Sequence, residues 1–377
     1  MYKTGVIGTS RKENERRVPI YPDHLLWIPE KVRRNLWFET GYGQDYGIPD
    51  SFFSEHSGGV LSRKQIVQQC ELIILPKPVS EDLLDLQEGQ ILWGWPHCVQ
   101  QKSITQPAID KKLTLIAWEA MNSWSPGGEK QMHIFYKNNE LAGYAAIHHA
   151  LQLSGRDGYY GPRRQVVVLG YGSVSRGAIQ ALHGRGFNNI LVLTRRPSHL
   201  VRDQHPDCYY ARLDDASDGL EVVEQSGAHR PLISVLAGAD IICNGVMQDT
   251  NRPMMFARSN EVDQLKPCSL IIDISCDEGM GFSFAKPTSF ESPVFTAGKD
   301  ITYYSVDHTP TYFWDAASRE ISRALIPYLE TVLAGPDSWA QNETIRRAVE
   351  IERGIVKNSN ILSFQQRSSE YPHPICK

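Results

Sequence analysis

The chain has 377 residues, 41% hydrophobic and 22% charged, with a formal net charge of −4, a globular composition with room for two or three domains and not that of a disordered or fibrous chain. With no excess of positive charge and no Lys/Arg stripe interleaved with aromatics, a nucleic-acid partner is not expected. The seven scattered cysteines form no C-x-x-C pair, the start MYKTGVIGTS lacks a signal-peptide core, and no apolar run reaches the roughly 20 residues of a membrane span, so free thiols in a cytoplasmic protein without membrane contact are expected.

Short apolar strands alternate with helical stretches, the mark of an α/β protein with largely parallel sheets. In chain order the early strands are expected at Thr4–Ile7, Leu36–Glu39, Leu72–Leu75, Gln90–Trp93 and Leu113–Ala117. A long helix follows over Asn138–Leu153, and the polar, Gly-containing segment Ser154–Arg164 reads as a boundary loop. A second series of strands is expected at Gln165–Leu169, Asn189–Leu193, Asp240–Asn244, Ser269–Ile274 and around Tyr303–Val306. Beyond Pro310 the chain reads as helical through Ala316–Leu333 and Ala340–Glu352, and the polar tail from Ser359 reads as peripheral. Two domains are predicted, each with a mostly parallel sheet. Residues 1–140 and 309–377 form a discontinuous substrate domain, and residues 141–308 a Rossmann dinucleotide-binding domain inserted into it.

The strand Gln165–Leu169 runs into Gly170-Tyr171-Gly172-Ser173-Val174-Ser175-Arg176-Gly177. Gly170 permits the tight strand-to-helix turn. Gly172 lets the backbone approach a pyrophosphate, and the next helix offers that anion its free N–H groups through Ser173 and Val174. The third position of the fingerprint is Ser175, a departure from the usual glycine or alanine. An NAD enzyme usually carries an acid at the end of the second strand, for the ribose 2′-OH. Here that place reads Leu193-Thr194-Arg195-Arg196, and two guanidiniums with a hydroxyl suit a 2′-phosphate. NADP(H) is therefore expected ahead of NAD(H). A plain basic loop is the competing reading, and Asp203 would serve NAD only if the strand ended later. Asn244, closing the third strand of the second series, joins the candidate cofactor residues.

The segment Lys12-Glu13-Asn14-Glu15-Arg16-Arg17-Val18-Pro19 resembles the start of the alanine dehydrogenase and pyridine-nucleotide transhydrogenase N-terminal family. Further matching segments are Glu39-Thr40-Gly41-Tyr42-Gly43, Gly94-Trp95-Pro96-His97-Cys98, Asn138-Asn139-Glu140-Leu141-Ala142-Gly143 and Val306-Asp307-His308-Thr309-Pro310. The segments around His97 and His308 favour the family's opine-type branch. The resemblance implies that Arg17 binds a substrate carboxylate, that Lys77 contacts the keto oxygen or moves a proton, and that His97 is the general acid/base. It also implies that Asp277 stands near the nicotinamide and the substrate amine. Glu278 beside it could meet the ammonium of a second amino acid, while Asp307 and His308 could position cofactor or amine. The competing readings are a surface Arg17, a structural His97 and solvated loop acids. His148-His149 point in different directions on their helix, and no metal site is expected.

The resemblance implies a homo-oligomeric oxidoreductase of CH–NH donors acting on small molecules. The expected reaction is NADPH-dependent condensation of a pyruvate-like 2-keto acid with the side-chain amine of an ornithine- or lysine-like amino acid through an imine. Alanine dehydrogenase and saccharopine-dehydrogenase chemistry are the rival enzymes. An NADP-binding sensor or scaffold is the non-enzymatic rival.

Overall fold

A computed structural model describes residues 1–249 and 252–376. They form two compact units, Met1–Tyr136 with Trp314–Lys377, and Lys137–Phe313.

The first unit is built on an eight-stranded sheet. Its spatial order is Ile355–Val356, Val349–Glu352, Thr114–Ala117, Ile91–Gly94, Leu72–Ile74, Thr4–Val6, Leu36–Glu39 and Gly59–Leu61. The six strands from the amino-terminal part are all parallel, and the two late strands add antiparallel at one edge. Runs such as Leu72-Ile73-Ile74 and Thr114–Ala117 are buried at every position. That is what a parallel sheet covered on both faces demands. The carboxyl ends of four neighbouring strands (Thr114–Ala117, Ile91–Gly94, Leu72–Ile74 and Thr4–Val6) thus lie side by side along one edge.

Two expectations for this unit are overturned. The helix expected over Ala340–Glu352 is two short helices, Pro336–Gln341 and Glu343–Ala348, followed by the strand Val349–Glu352. Asn342 breaks the run by capping the second helix, its side chain accepting from the Ile345 N–H at 3.1 Å. Past Ala348 the chain runs as a strand between Thr114–Ala117 and Ile355–Val356, with Glu350 and Ile351 both buried. The tail is not peripheral either. It forms the helix Ser359–Gln365, and Ile361, Gln365, Arg367 and His373 are buried. Gln365 Nε2 donates to the Cys98 carbonyl at 2.6 Å and to Thr105 Oγ1 at 3.1 Å, satisfying groups that would otherwise be buried without partners.

The second unit has a nine-stranded sheet in the order His229–Pro231, Gly219–Val223, Cys208–Ala216, Ile190–Thr194, Val166–Leu169, Ile241–Asn244, Leu270–Asp273, Ile301–Tyr304 and Val294–Ala297. The six central strands are parallel. Taken in chain order they run 3-2-1-4-5-6, the doubly wound order of a dinucleotide-binding domain. Antiparallel additions finish both edges. These additions carry turn-rich, exposed segments whose strands were not anticipated from the sequence.

One crossing fixes the helix that follows the glycine-rich turn. A Cβ on Gly177 would lie 1.8 Å from the Glu140 carbonyl oxygen, and one on Gly143 would lie 1.9 Å from that of Val174. The helices Tyr136–Ser154 and Ser173–Gly184 therefore touch backbone to backbone. Among the described residues no helix is long and apolar enough to cross a membrane. Gly177→Ala should cost about 3 kcal/mol, because the neighbour it meets is backbone and cannot move aside like a side chain. A thermal or urea unfolding curve superimposed on that of the parent would refute this packing.

Candidate functional site

In the first unit, the turns after neighbouring strands bring the expected side chains together. Gly94 makes this possible, since a Cβ there would sit 1.9 Å from the Leu75 carbonyl oxygen. With no side chain in the way, the turn after Ile91–Gly94 lies on the turn after Leu72–Ile74, and the Trp95 N–H donates to the Pro76 carbonyl at 2.8 Å. Lys77 Nζ and His97 Nε2 consequently meet at 2.9 Å. Lys77 is buried. His97 takes a left-handed backbone with φ 48°, a conformation costing about 1–3 kcal/mol that persists only where surroundings impose it.

Glu119 enters from the next strand, two residues past Ala117. Its Oε1 accepts the His97 N–H at 2.6 Å and lies 3.8 Å from His97 Nδ1. Burial and the nearby Glu350 push its carboxyl up to about 8. Glu350, on the late strand Val349–Glu352, is pushed up to about 7 by burial. Below them His133 Nε2 bonds the Trp118 carbonyl at 3.0 Å, and burial lowers that imidazole to about 4.

Arg17 comes from the loop after Thr4–Val6. It is not on the surface: its side chain is 3% exposed and that of Glu15 is 0%. Glu15 takes Arg17 Nε at 2.8 Å and Nη2 at 2.5 Å, a forked pairing that fixes the guanidinium plane. The cation lies 5.2 Å from the Trp95 ring centroid, which places Arg17 beside the His97 turn. Tyr42 anchors the loop beyond, its hydroxyl accepting the Ile20 N–H at 2.9 Å and donating to the Ile20 carbonyl at 2.7 Å. Glu39 accepts the N–H groups of Gly8 and Thr9. The segment Glu39–Gly43 therefore holds the arginine loop in place.

In the second unit Gly170 adopts φ +86°, which its lack of a side chain permits. Gly172 caps the Ser173–Gly184 helix, and a Cβ on it would meet nothing within 4 Å. Ser173 and Val174 open the helix, while Ser175 is fully buried with its hydroxyl on the Leu169 carbonyl at 3.3 Å. Ser175 thus serves packing beneath the turn. An open space before a 12-residue helix N-terminus fits a dinucleotide pyrophosphate. The second strand ends at Thr194, which is buried, with no carboxylate at that place. Arg196 Nη2 donates to the Tyr171 carbonyl at 2.9 Å, and Arg195 Nη2 is 2.9 Å from Asp215 at an exposed site. Asp203 lies well beyond the strand with its side chain 85% exposed.

Asn244 is fully buried, donating to Asp273 Oδ1 at 2.8 Å and accepting the Val246 N–H at 3.1 Å. Tyr303 donates to the other Asp273 oxygen at 2.6 Å. Asn244 therefore sits within a network that ties three strand ends together. Asp277 follows the Leu270–Asp273 strand, and burial with the nearby Asp307 pushes it up to about 6. Glu278 is exposed. Asp307 Oδ1 accepts the His308 N–H at 2.7 Å, and the His308 ring lies 4.9 Å from Phe290. Cys276 and His308 are also left-handed, with φ 57° and 46°. Asp277 and Asp307 are thus brought together, and Glu278 stands apart from them.

Residues 6–142 match the alanine dehydrogenase/PNT N-terminal domain and residues 158–359 the alanine dehydrogenase/PNT C-terminal domain. The chain belongs to the alanine dehydrogenase/PNT family. It is 26% identical over 328 residues to an N(5)-(carboxyethyl)ornithine synthase of Clostridium botulinum, covering 82% of this chain and 89% of the relative. It is 24% identical over 337 residues to an alanine dehydrogenase of Mycobacterium tuberculosis, covering 86% of this chain and 85% of the relative. A solved L-alanine dehydrogenase shares the fold with a TM-score of 0.75 at 18% identity, covering 96% of this chain and 98% of that one. Like its family, the chain is an oxidoreductase that uses a nicotinamide dinucleotide.

Glu15, Glu119 and Glu350 were missed in the sequence. Glu119 could have been found, since it closes an apolar parallel strand at the end where α/β proteins bind ligands. Glu15 was in view within its motif but looked like one charge among several. Glu350 carried no signal, because it lay in a stretch read as a helix.

Two outcomes follow for this family member. Gly172→Ala should leave the unfolding temperature unchanged, because its methyl has open space, yet weaken dinucleotide binding by about tenfold or more by calorimetry. Unchanged affinity would remove Gly172 from the cofactor site. The raised carboxyls of Glu119 and Glu350 keep protons in the folded state that the unfolded chain releases near pH 4.3. The folded state therefore binds more protons from about pH 4.5 up to about 8, and stability falls as pH rises through that window. Urea unfolding across it should show a shallower fall for Glu350→Gln.

Proposed function

We propose that this protein is an NADPH-dependent reductase that joins a pyruvate-like 2-keto acid to the side-chain amine of an ornithine- or lysine-like amino acid. The observation that carries this reading is the Lys77–His97 pair at 2.9 Å beside the buried, Glu15-clamped Arg17. A planar cation, an ammonium donor and an imidazole set in one turn cluster suit a 2-keto acid. Arg17 takes the carboxylate, Lys77 polarises the carbonyl, and His97 moves the protons.

Amine attack and loss of water give the imine, and a bound nicotinamide supplies the hydride that reduces it. From the protonated amine onward the reaction takes up one proton overall, which His97 delivers. Asp277 and Asp307 offer negative charge to the cationic amino acid, with the His308 N–H bonded to Asp307, while the exposed Glu278 stands apart from the two. Gly170, Gly172, Ser173 and Val174 receive the pyrophosphate. Thr194, Arg195 and Arg196 receive the 2′-phosphate, supported by the lack of a carboxylate at the strand end. The amino-acid co-substrate is supported by the relatives named N(5)-(carboxyethyl)ornithine synthase. The relatives named alanine dehydrogenase support ammonia as the rival amine.

The test is cofactor oxidation with pyruvate, glyoxylate or 2-oxoglutarate crossed with ammonia, ornithine or lysine, using NADPH and NADH separately. Turnover is expected only with a keto acid and an amino acid together, faster with NADPH. His97→Gln should lower kcat by about 10²- to 10⁴-fold, and Arg196→Ala should narrow the NADPH preference by about tenfold, the loss of one charged phosphate contact. Turnover with ammonia alone would replace this reading with alanine-dehydrogenase chemistry.

A further inference from the structure

In the second unit the segment after the strand Ile190–Thr194 folds back on the glycine-rich turn. Gln204 Nε2 donates to the Ser198 carbonyl at 2.6 Å and closes residues 198–204 into a loop. Val201 is buried and anchors that loop in the core, while the neighbouring Arg202 is exposed. The far end of the loop is fastened to Tyr171, the buried residue between Gly170 and Gly172. The Tyr171 hydroxyl donates to the Asp203 carbonyl at 2.6 Å. Arg176, from the helix Ser173–Gly184, lies 4.4 Å from the Tyr171 ring centroid and donates from Nη2 to the Arg202 carbonyl at 3.0 Å. Arg196 reaches the same tyrosine from the strand exit, donating to its carbonyl at 2.9 Å. Tyr171 therefore links the glycine-rich turn, the end of the second strand and the backbone of Arg202. Charge then separates the arginines gathered here. Arg195 is paired with Asp215 at 2.9 Å, and Arg176 Nη1 stands 4.0 Å from the Asp203 carboxylate. Among the described residues Arg196 and Arg202 form no ion pair. A guanidinium bonded to a neutral carbonyl, as Arg196 is, keeps its charge for an incoming anion.

We propose that Arg202 binds the 2′-phosphate of the cofactor together with Arg196, and that Arg176 is the positioning residue that holds the Arg202 backbone for this task. This rests on the NADP(H) reading of the strand end. A phosphate monoester carries about −1.5 to −2 at neutral pH. Arg196 alone leaves such a group half compensated, and Arg195 brings a charge already offset by Asp215. A second uncompensated guanidinium completes the balance. Because Tyr171 and Arg176 already fix the loop, little ordering cost falls due when the phosphate arrives. A dinucleotide with a plain 2′-hydroxyl presents no such charge, so it gains nothing from Arg202.

The experiment is calorimetric titration of the full chain with NADP⁺ and, separately, NAD⁺, which needs neither substrate nor turnover. Arg202→Ala should weaken NADP⁺ binding by about tenfold, the loss of one charged phosphate contact, and leave NAD⁺ within about twofold. Arg202 is exposed, so the variant keeps the packing of the parent. Arg176→Ala should show the same selective loss. The double variant should lose little more than either single one, because both substitutions remove one contact. A purely structural Arg176 would weaken both dinucleotides alike, and that result, or additive losses in the double variant, would overturn its positioning role. An NADP⁺ preference kept whole in Arg202→Ala would overturn the proposal and leave the NADP(H) reading standing. Equal affinity of the parent chain for NADP⁺ and NAD⁺ would overturn both.

Discussion

Close backbone approach at Gly94 is the constraint on which the first unit's site depends. Neighbouring parallel strands stand roughly 4.8 Å apart, and the turns that leave them usually diverge because each residue carries a Cβ. Here the missing side chain lets the Leu75 carbonyl occupy the space a Cβ would take. The two turns lock through the Trp95–Pro76 hydrogen bond, and Lys77 meets His97. Trp95 then supplies the face on which Arg17 rests. Arg17, Lys77 and His97 are therefore gathered by backbone packing, with little left to side-chain flexibility.

Carboxylates hold two of these residues in place. Glu15 pairs with Arg17 through a buried fork, and Glu119 receives the His97 backbone. A buried guanidinium without such a partner would be costly, since removing one member of a buried ion pair leaves an uncompensated charge. The pairing therefore lets a positive group remain buried in a largely apolar unit. The second unit shows the same economy of charge. Asp273 is tied by Asn244 and Tyr303, and its burial raises it to about 6, so the polar centre of the sheet is neutral over part of the acidic range.

Left-handed backbone at His97, Cys276 and His308 marks the same segments from another direction. These are β-strand exits, where the chain must turn sharply while presenting a side chain. Glycine would relieve the strain at each, but glycine presents nothing. That non-glycine residues are kept there is consistent with the side-chain roles proposed for His97, His308 and Asp277.

The sequence by itself determined the family, the alternation of strands and helices, the inserted Rossmann domain and the glycine-rich strand-to-helix turn. All of these follow from local patterns: apolar runs, glycine spacing and motifs of a few residues. It also pointed to Arg17, Lys77 and His97 one at a time. Tertiary structure alone decided that they meet, that Arg17 is buried, and that Ser175 and Asn244 serve the interior. It alone brought Val349–Glu352 to the sheet edge and Gln365 beneath Cys98, across more than 200 residues of sequence. Such pairings have no local signature. A glutamate in a strand added at the edge and a glutamine in a polar tail look like solvated side chains until the fold supplies the carbonyls and carboxyls they satisfy.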